Sequence, residues 1–222
     1  MMTLTIDQPA GIYLLTPDWS DTARLLDAVG AALAAGVRWV QYRNKGAGVE
    51  LRRTQARALR ELTLTRGARL LINDDVDLAI ECAADGVHVG RDDPDPWPRL
   101  AREGIRMRVG VSCYDDFDRA RRAMRAGADY VAFGSVFGSA TKPGAVRAPL
   151  ALLAQGRREG MHVVAIGGID AGNIAAVASA GAHAAALITA VFGAADRTAA
   201  TRELVEQFEQ GKLRHESQRT TV

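Results

Sequence analysis

Asp74 and Asp93 each stand just beyond a short apolar run, in LLINDDVDLA and GVHVGRDD. Carboxylate oxygens at the ends of two neighbouring strands suit a hard cation such as Mg²⁺, which takes one or two carboxylates and completes its shell with water and substrate phosphate. Each aspartate has a second reading, Asp74 or Asp75 as the cap of a helix beginning at Val76, and Asp92 or Asp93 as the cap of the turn before Pro94. Other segments offer the complementary chemistry. In QYRNK, Gln41, Arg43 and Lys45 alternate after the apolar run ending at Val40, so an extended chain puts them on one side. Two cations on one edge repel unless an anion lies between them, and a diphosphate satisfies both; if the strand has already ended, both are simply exposed. AIGGID sets Gly167 and Gly168 between a strand and a helix starting near Asp170, where bare N–H groups can face a phosphate, although tight turns use glycine anyway. Leu187–Thr189 closes a later apolar run, and the long loop between Gly134 and Pro149 gathers Ser139, Thr141 and Lys142 among glycines and prolines. Loops of that length are usually functional or disordered, and the plain reading of Lys142 is a solvated lysine beside a Pro143-Gly144 turn.

An alternation of strands and helices must position these clusters. One phrase recurs: AAGVRWV from Ala34, AADGVHV from Ala83, AGADYVA from Ala126 and AGAHAAA from Ala180, with starts 49, 43 and 54 residues apart. Each reads as helix end, turn, strand, at about the spacing of two βα units, so they mark the even strands. GIYLL at Gly11, ARLLI at Ala68, RMRVGV at Arg106 and HVVAI at His162 fill the gaps as odd strands. Amphipathic helical stretches lie between, among them Asp21 to Ala35, Val49 to Arg66, Tyr114 to Ala126 and Arg197 to Gln210. Eight such units favour an α/β fold, a single-domain (β/α)8 TIM barrel over residues 1–211, with a doubly wound open sheet as the alternative. In a barrel every polar cluster converges on one rim, and the loops after strands seven and eight often hold a substrate phosphate.

A length of 222 residues just accommodates eight compact units. Lys and Arg number 28 against 26 Asp and Glu, so nucleic acid is not an expected partner. Arg119, Arg121, Arg122 and Arg125 form the densest basic group and read as one solvated helix face. No apolar stretch is long enough to span a bilayer and the N-terminus has no signal-like pattern, so a cytoplasmic protein without membrane association is expected. Cys82 and Cys113 lack metal-ligand spacing and read as buried free thiols. GKLRHESQRTTV has no apolar periodicity, so residues 212–222 are expected to form a flexible tail. Oligomeric state is not legible, and a homo-oligomer is compatible with the chain.

Taken together, QYRNK, LLINDDVDLA, ADGVHVGRDD, GADYVAFGSVFGSATKPGAV and VAIGGI resemble the thiamine-phosphate synthase family, over a span from about Tyr13 to Gly193. The resemblance implies that Gln41, Arg43, Lys45 and Asn73 bind hydroxymethylpyrimidine diphosphate, Asp74 and Asp93 hold Mg²⁺, and Ser112 and Lys142 contact the same substrate. Ser139, Thr141, Gly168, Ile188 and Thr189 would hold a thiazole phosphate, with Tyr42, Asn44 and Ala140 falling inside the same binding segments. Four residues depart from the family pattern: Tyr42 for Leu, Asn44 for Glu, Ser139 for the first Thr of TxTK and Thr189 for Ser. Tyr42 and Asn44 alternate with the ligands and should face away; Ser139 and Thr189 keep a hydroxyl.

The implied reaction is loss of pyrophosphate from the pyrimidine methylene, followed by attack of the thiazole nitrogen. Mg²⁺ with Arg43, Lys45 and Lys142 as catalytic residues would neutralise the leaving group, and no protein nucleophile is required. His88, inside the fourth strand, reads as a packed, hydrogen-bonded histidine rather than a general base. Two rival readings are a thiazole tautomerase on the same barrel and a non-catalytic phosphate-binding carrier. Retention of Asp74 and Asp93 with Arg43, Lys45 and Lys142 argues against the tautomerase.

Overall fold

The computed structural model describes residues 8–138 and 147–220. Strands β1 (Gly11–Leu15), β2 (Trp39–Tyr42), β3 (Arg69–Asn73), β4 (Gly86–Val89), β5 (Arg108–Tyr114), β6 (Tyr130–Gly134), β7 (Val163–Ile166) and β8 (Ala184–Leu187) alternate with helices. These are α1 (Thr22–Ala34), α2 (Val49–Thr65), α3 (Val76–Glu81), α4 (Trp97–Glu103), α5 (Phe117–Ala126), α6 (Ala151–Arg158), α7 (Ile174–Ser179), α8 (Thr189–Phe192) and α9 (Arg197–Thr220). All strand pairs are parallel and the order is sequential. β8 returns to β1 with Gly11 opposite Ala184 and Leu14 opposite Leu187, so the sheet closes as a barrel and the open-sheet alternative is ruled out.

The period-2 alternation of each strand divides the core in two. Outward residues such as Leu14, Val40, Leu70, Val87, Val131 and Val163 meet the helices, while Tyr13, Trp39, Leu71, Tyr130, Val164 and Ala184 fill the interior. The interior holds three large rings because small residues face them. A side chain on Gly110 would run into the Tyr130 ring, so β5 carries glycine where β6 carries tyrosine.

The recurring phrase has a structural cause. Asp85 accepts from the Leu70 N–H (2.9 Å), Asp129 from the Val109 N–H (2.7 Å) and His183 Nδ1 from the Val163 N–H (3.1 Å). In each case the residue just before an even strand satisfies an amide of the preceding odd strand, a strap repeated three times around the lower rim.

Two boundaries differ from expectation. The helix expected from Tyr114 begins at Phe117, because β5 continues to Tyr114, which turns at φ 55°, and Asp116 then caps α5 through the Arg119 N–H. Residues 212–220, expected as a flexible tail, continue α9 as helix. The contact there is made by a glycine and a histidine rather than by an apolar stripe. Gly211 lies against the Ala175 carbonyl of α7, Ser179 Oγ donates to the Gly211 carbonyl (3.0 Å) and His215 Nδ1 meets the Ser179 carbonyl (2.9 Å). Among the described residues no helix is long and apolar enough to cross a membrane. Cys82 and Cys113 are buried and free.

Candidate active site

The upper rim receives each polar cluster from a different strand. At the end of β2 the chain alternates as expected. Gln41 points into the barrel, 2% exposed, and donates to the Tyr13 hydroxyl (2.8 Å). Tyr42 and Asn44 point outward to α2, where both reach Gln55 Oε1 (2.9 and 3.0 Å); Asn44 and Gln55 also donate to the Trp19 carbonyl. Burial pushes the Tyr42 phenol up to about 12. The two departures from the family pattern therefore form a latch that ties the loops after β1 and β2 to α2.

That latch fixes where Arg43 and Lys45 stand. Thr16, fully buried, both accepts from the Arg43 N–H and donates to its carbonyl, each at 2.8 Å. Asp18 takes the Arg43 guanidinium at 2.9 Å and the Lys45 N–H at 3.0 Å, while Lys45 Nζ lies 3.0 Å from Asp74 Oδ2. The two cations are thus met by separate carboxylates, of which Asp18 carried no signal in the sequence.

Asn73 ends β3, half-buried and paired in register with His88 of β4. Asp75, not Asp74, caps α3 by accepting from the Leu78 N–H. Asp74 instead turns at φ 64°, with its N–H on the His88 carbonyl (2.8 Å), and is free to face the rim. Asp93 accepts from the Gly90 N–H at 2.6 Å, so it does close the turn before Pro94 while lying beside Asp74. Burial pushes the Asp93 carboxyl upward and the Asp74 carboxyl pushes it the same way, against the Gly90 N–H and Lys45. Two carboxyls forced together, opposed only in part by one exposed lysine, make a donor set of oxygens that a hard divalent cation fits. Among the described residues no group of three or more His, Cys, Asp or Glu could hold a metal.

Arg119 departs from its expected solvated role. Its Nε donates to the Ser112 carbonyl and its NH2 to the Gly90 carbonyl, both at 2.8 Å, bracing the ends of β4 and β5 against each other. Ser112 Oγ lies 2.9 Å from His88 Nε2, and burial lowers the His88 pKa to about 4, so the ring is neutral.

Across the ring of strand ends, Gly167 (φ 102°) and Gly168 (φ 65°) follow β7. A side chain on Gly168 would strike the Gly138 carbonyl and Phe137, so only glycine permits this approach; Asn173 Nδ2 holds the Gly168 carbonyl at 2.9 Å. Ile188, half-buried, and Thr189, exposed, follow β8 at the start of α8. Ser139, Ala140, Thr141 and Lys142 lie outside the described residues; the flanking Phe137 is bound through its N–H to the Gly167 carbonyl (3.0 Å).

Residues 12–191 match the family model described as thiamine monophosphate synthase. The chain is 52% identical over 206 residues to the thiamine-phosphate synthase of Halorhodospira halophila, covering 92% of this chain and 97% of that one. It is 48% identical over 211 residues to the thiamine-phosphate synthase of Bordetella pertussis, with the same coverage of 92% and 97%. The thiamine phosphate pyrophosphorylase structure from Pyrococcus furiosus superposes with a TM-score of 0.80 at 32% identity, over 91% of this chain and 96% of that chain.

Proposed function

This chain belongs to the thiamine monophosphate synthase family, and we propose that its upper rim joins hydroxymethylpyrimidine diphosphate to a thiazole phosphate, giving thiamine phosphate and pyrophosphate. One observation carries the reading. Asp74, Asp93 and Lys45 meet on the β2–β4 side of the rim, opposite a glycine turn after β7 and the start of α8 after β8. That arrangement suits two anionic substrates held face to face, one by a diphosphate and one by a monophosphate.

The C–O bond between the pyrimidine methylene and the diphosphate breaks with both electrons leaving on pyrophosphate. The electron-rich aminopyrimidine carries the resulting cation until the thiazole nitrogen donates its pair to form the new C–N bond. Gln41, Asn73 and Ser112 hold the pyrimidine. Arg43, Lys45 and Lys142 neutralise charge gathering on the leaving group; among the described residues Arg43 bonds through NH1 alone, to Asp18, which leaves its other N–H groups for the diphosphate. Asp74 and Asp93 would hold Mg²⁺, whose positive charge would offset the charge gathering on the leaving group. Ser139, Ala140, Thr141, Gly168, Ile188 and Thr189 hold the thiazole phosphate, and fixing both rings in line supplies the rest of the rate advantage. Tyr42 and Asn44 serve from behind, keeping Arg43 and Lys45 in place.

The test is pyrophosphate release and thiamine phosphate formation with both substrates and Mg²⁺, each omitted in turn. Product that needs all three supports the synthase. Tight thiazole phosphate binding without pyrophosphate release refutes it and points to a tautomerase or carrier.

A further inference from the structure

An unbroken chain of hydrogen bonds crosses the barrel interior between two residues assigned above to the pyrimidine. Gln41 Nε2 donates to the Tyr13 hydroxyl at 2.8 Å; Tyr13 and Tyr130 hydroxyls meet at 2.9 Å; Tyr130 Oη lies 2.9 Å from His88 Nδ1; His88 Nε2 lies 2.9 Å from Ser112 Oγ. The links come from β2, β1, β6, β4 and β5. Gln41, Tyr13, Tyr130 and His88 are 2%, 1%, 0% and 7% exposed, so little solvent reaches them to substitute for a lost partner. The rings are held as well: Tyr13 meets Tyr130 edge-on at 6.0 Å, and His88 stacks on Tyr130 at 5.6 Å.

Each hydroxyl has one proton to give, so the direction set at one end passes along the chain. With the Gln41 amide donating, Tyr13 donates to Tyr130 and Tyr130 donates to His88 Nδ1. Nδ1, as an acceptor, carries no proton, so the ring holds its proton on Nε2 and gives it to Ser112 Oγ. Among the described residues nothing takes the Ser112 hydroxyl proton.

We propose that Tyr13, Tyr130 and His88 are positioning residues of one directed relay, which fixes the Nε2–H tautomer of His88 and leaves the Ser112 proton to be donated to an acceptor atom of the pyrimidine substrate. The substrate half of this inference rests on the function proposed above; the tautomer half rests on the interior alone. Glycine at 110 is part of the device, since any side chain there would displace the Tyr130 ring.

The experiment compares wild type with Tyr130→Phe, which deletes one oxygen and keeps the ring. Two-bond ¹H–¹⁵N correlation spectra read the His88 tautomer, and steady-state kinetics read KM for each substrate. The relay predicts Nε2–H in wild type, a mixture of tautomers in Tyr130→Phe, and a KM for pyrimidine diphosphate raised about tenfold, the worth of one well-placed hydrogen bond, with the thiazole phosphate KM unchanged. Tyr13→Phe, one link further from Ser112, should shift both readouts the same way by less, and serves if Tyr130→Phe does not fold. An Nδ1–H tautomer in wild type, an unaltered tautomer in both variants, or equal KM increases for both substrates overturns the proposal. An inactive wild type with the Nε2–H tautomer fixed would sink the assigned reaction while leaving the relay standing.

Discussion

His88 should make the fold acid-sensitive, by an amount that its burial sets. Desolvation lowers its pKa from 6.5 to about 4, against a smaller opposing pull from Asp93. Well above pH 6.5 the ring is neutral in folded and unfolded chains and its full contribution is present. As pH falls the unfolded chain takes up a proton that the folded chain refuses until about pH 4, so stability drains across that window. The whole difference is about 3 kcal/mol, of which about 2 kcal/mol is gone by pH 5. His88→Gln removes the titration while keeping a polar side chain. It should lower stability at pH 7, because the Tyr130 and Ser112 contacts are disturbed, yet reduce the loss between pH 7 and pH 5 by about 2 kcal/mol relative to wild type. His183, which burial lowers to about 3, remains in both proteins and supplies a common background. Urea unfolding followed by circular dichroism at the two pH values measures the difference. An identical pH dependence in wild type and variant would show that the ring is not held neutral in the folded state.

Asp93→Asn should cut kcat by about a hundredfold or more while leaving thiazole phosphate affinity nearly unchanged, because the lost oxygen serves the diphosphate side of the rim; equal losses in turnover and thiazole titrations would contradict the assignment. Gly168→Ala puts a side chain at φ 65° against Gly138 and Phe137, and should cost about 1–3 kcal/mol along with thiazole phosphate affinity, read by calorimetry; wild-type affinity would place that ligand elsewhere. Asp85→Asn keeps an acceptor for the Leu70 amide but strips Arg60 (2.6 Å) of its charged partner. It should lower stability by about 2 kcal/mol with kcat intact, and a change in kcat would mean that the lower strap reaches the site.

The barrel was legible because its strands repeat a phrase and end in chemistry, and the phrase itself had a mechanical basis in the straps from Asp85, Asp129 and His183. At the end of β2 the orientation was legible as well, since alternation after the apolar run puts Gln41 inside the barrel and Tyr42 and Asn44 outside it; at β3, β4 and β7 only the presence of a polar or glycine cluster beyond the strand could be read, not its geometry. What escaped was whatever depends on distant segments meeting. Asp18 and Thr16 look like ordinary loop residues until the turn after β2 folds onto them. Arg119 belongs by composition to a solvated face, and only the closeness of Gly90 and Ser112 makes it a brace. Tyr13 and Tyr130 read as core aromatics, 117 residues apart, with no hint that their hydroxyls touch. The helix beyond Gly211 was missed because hydropathy counts apolar stripes and this contact uses backbone carbonyls and an imidazole.

Asp74 stands in the left-handed region, at φ 64°, with its N–H fixed to the β4 backbone. Asparagine and aspartate tolerate that conformation, whereas alanine does not adopt it readily. A survey that replaced rim residues by alanine would therefore misreport this position, adding a bent backbone to a missing carboxylate and crediting the sum to chemistry. Asparagine at 74 is the informative replacement and glycine its control, one removing charge at constant shape and the other removing the side chain without steric strain at positive φ. The gap between alanine and glycine at this one residue would measure how much of an apparent catalytic defect is geometry.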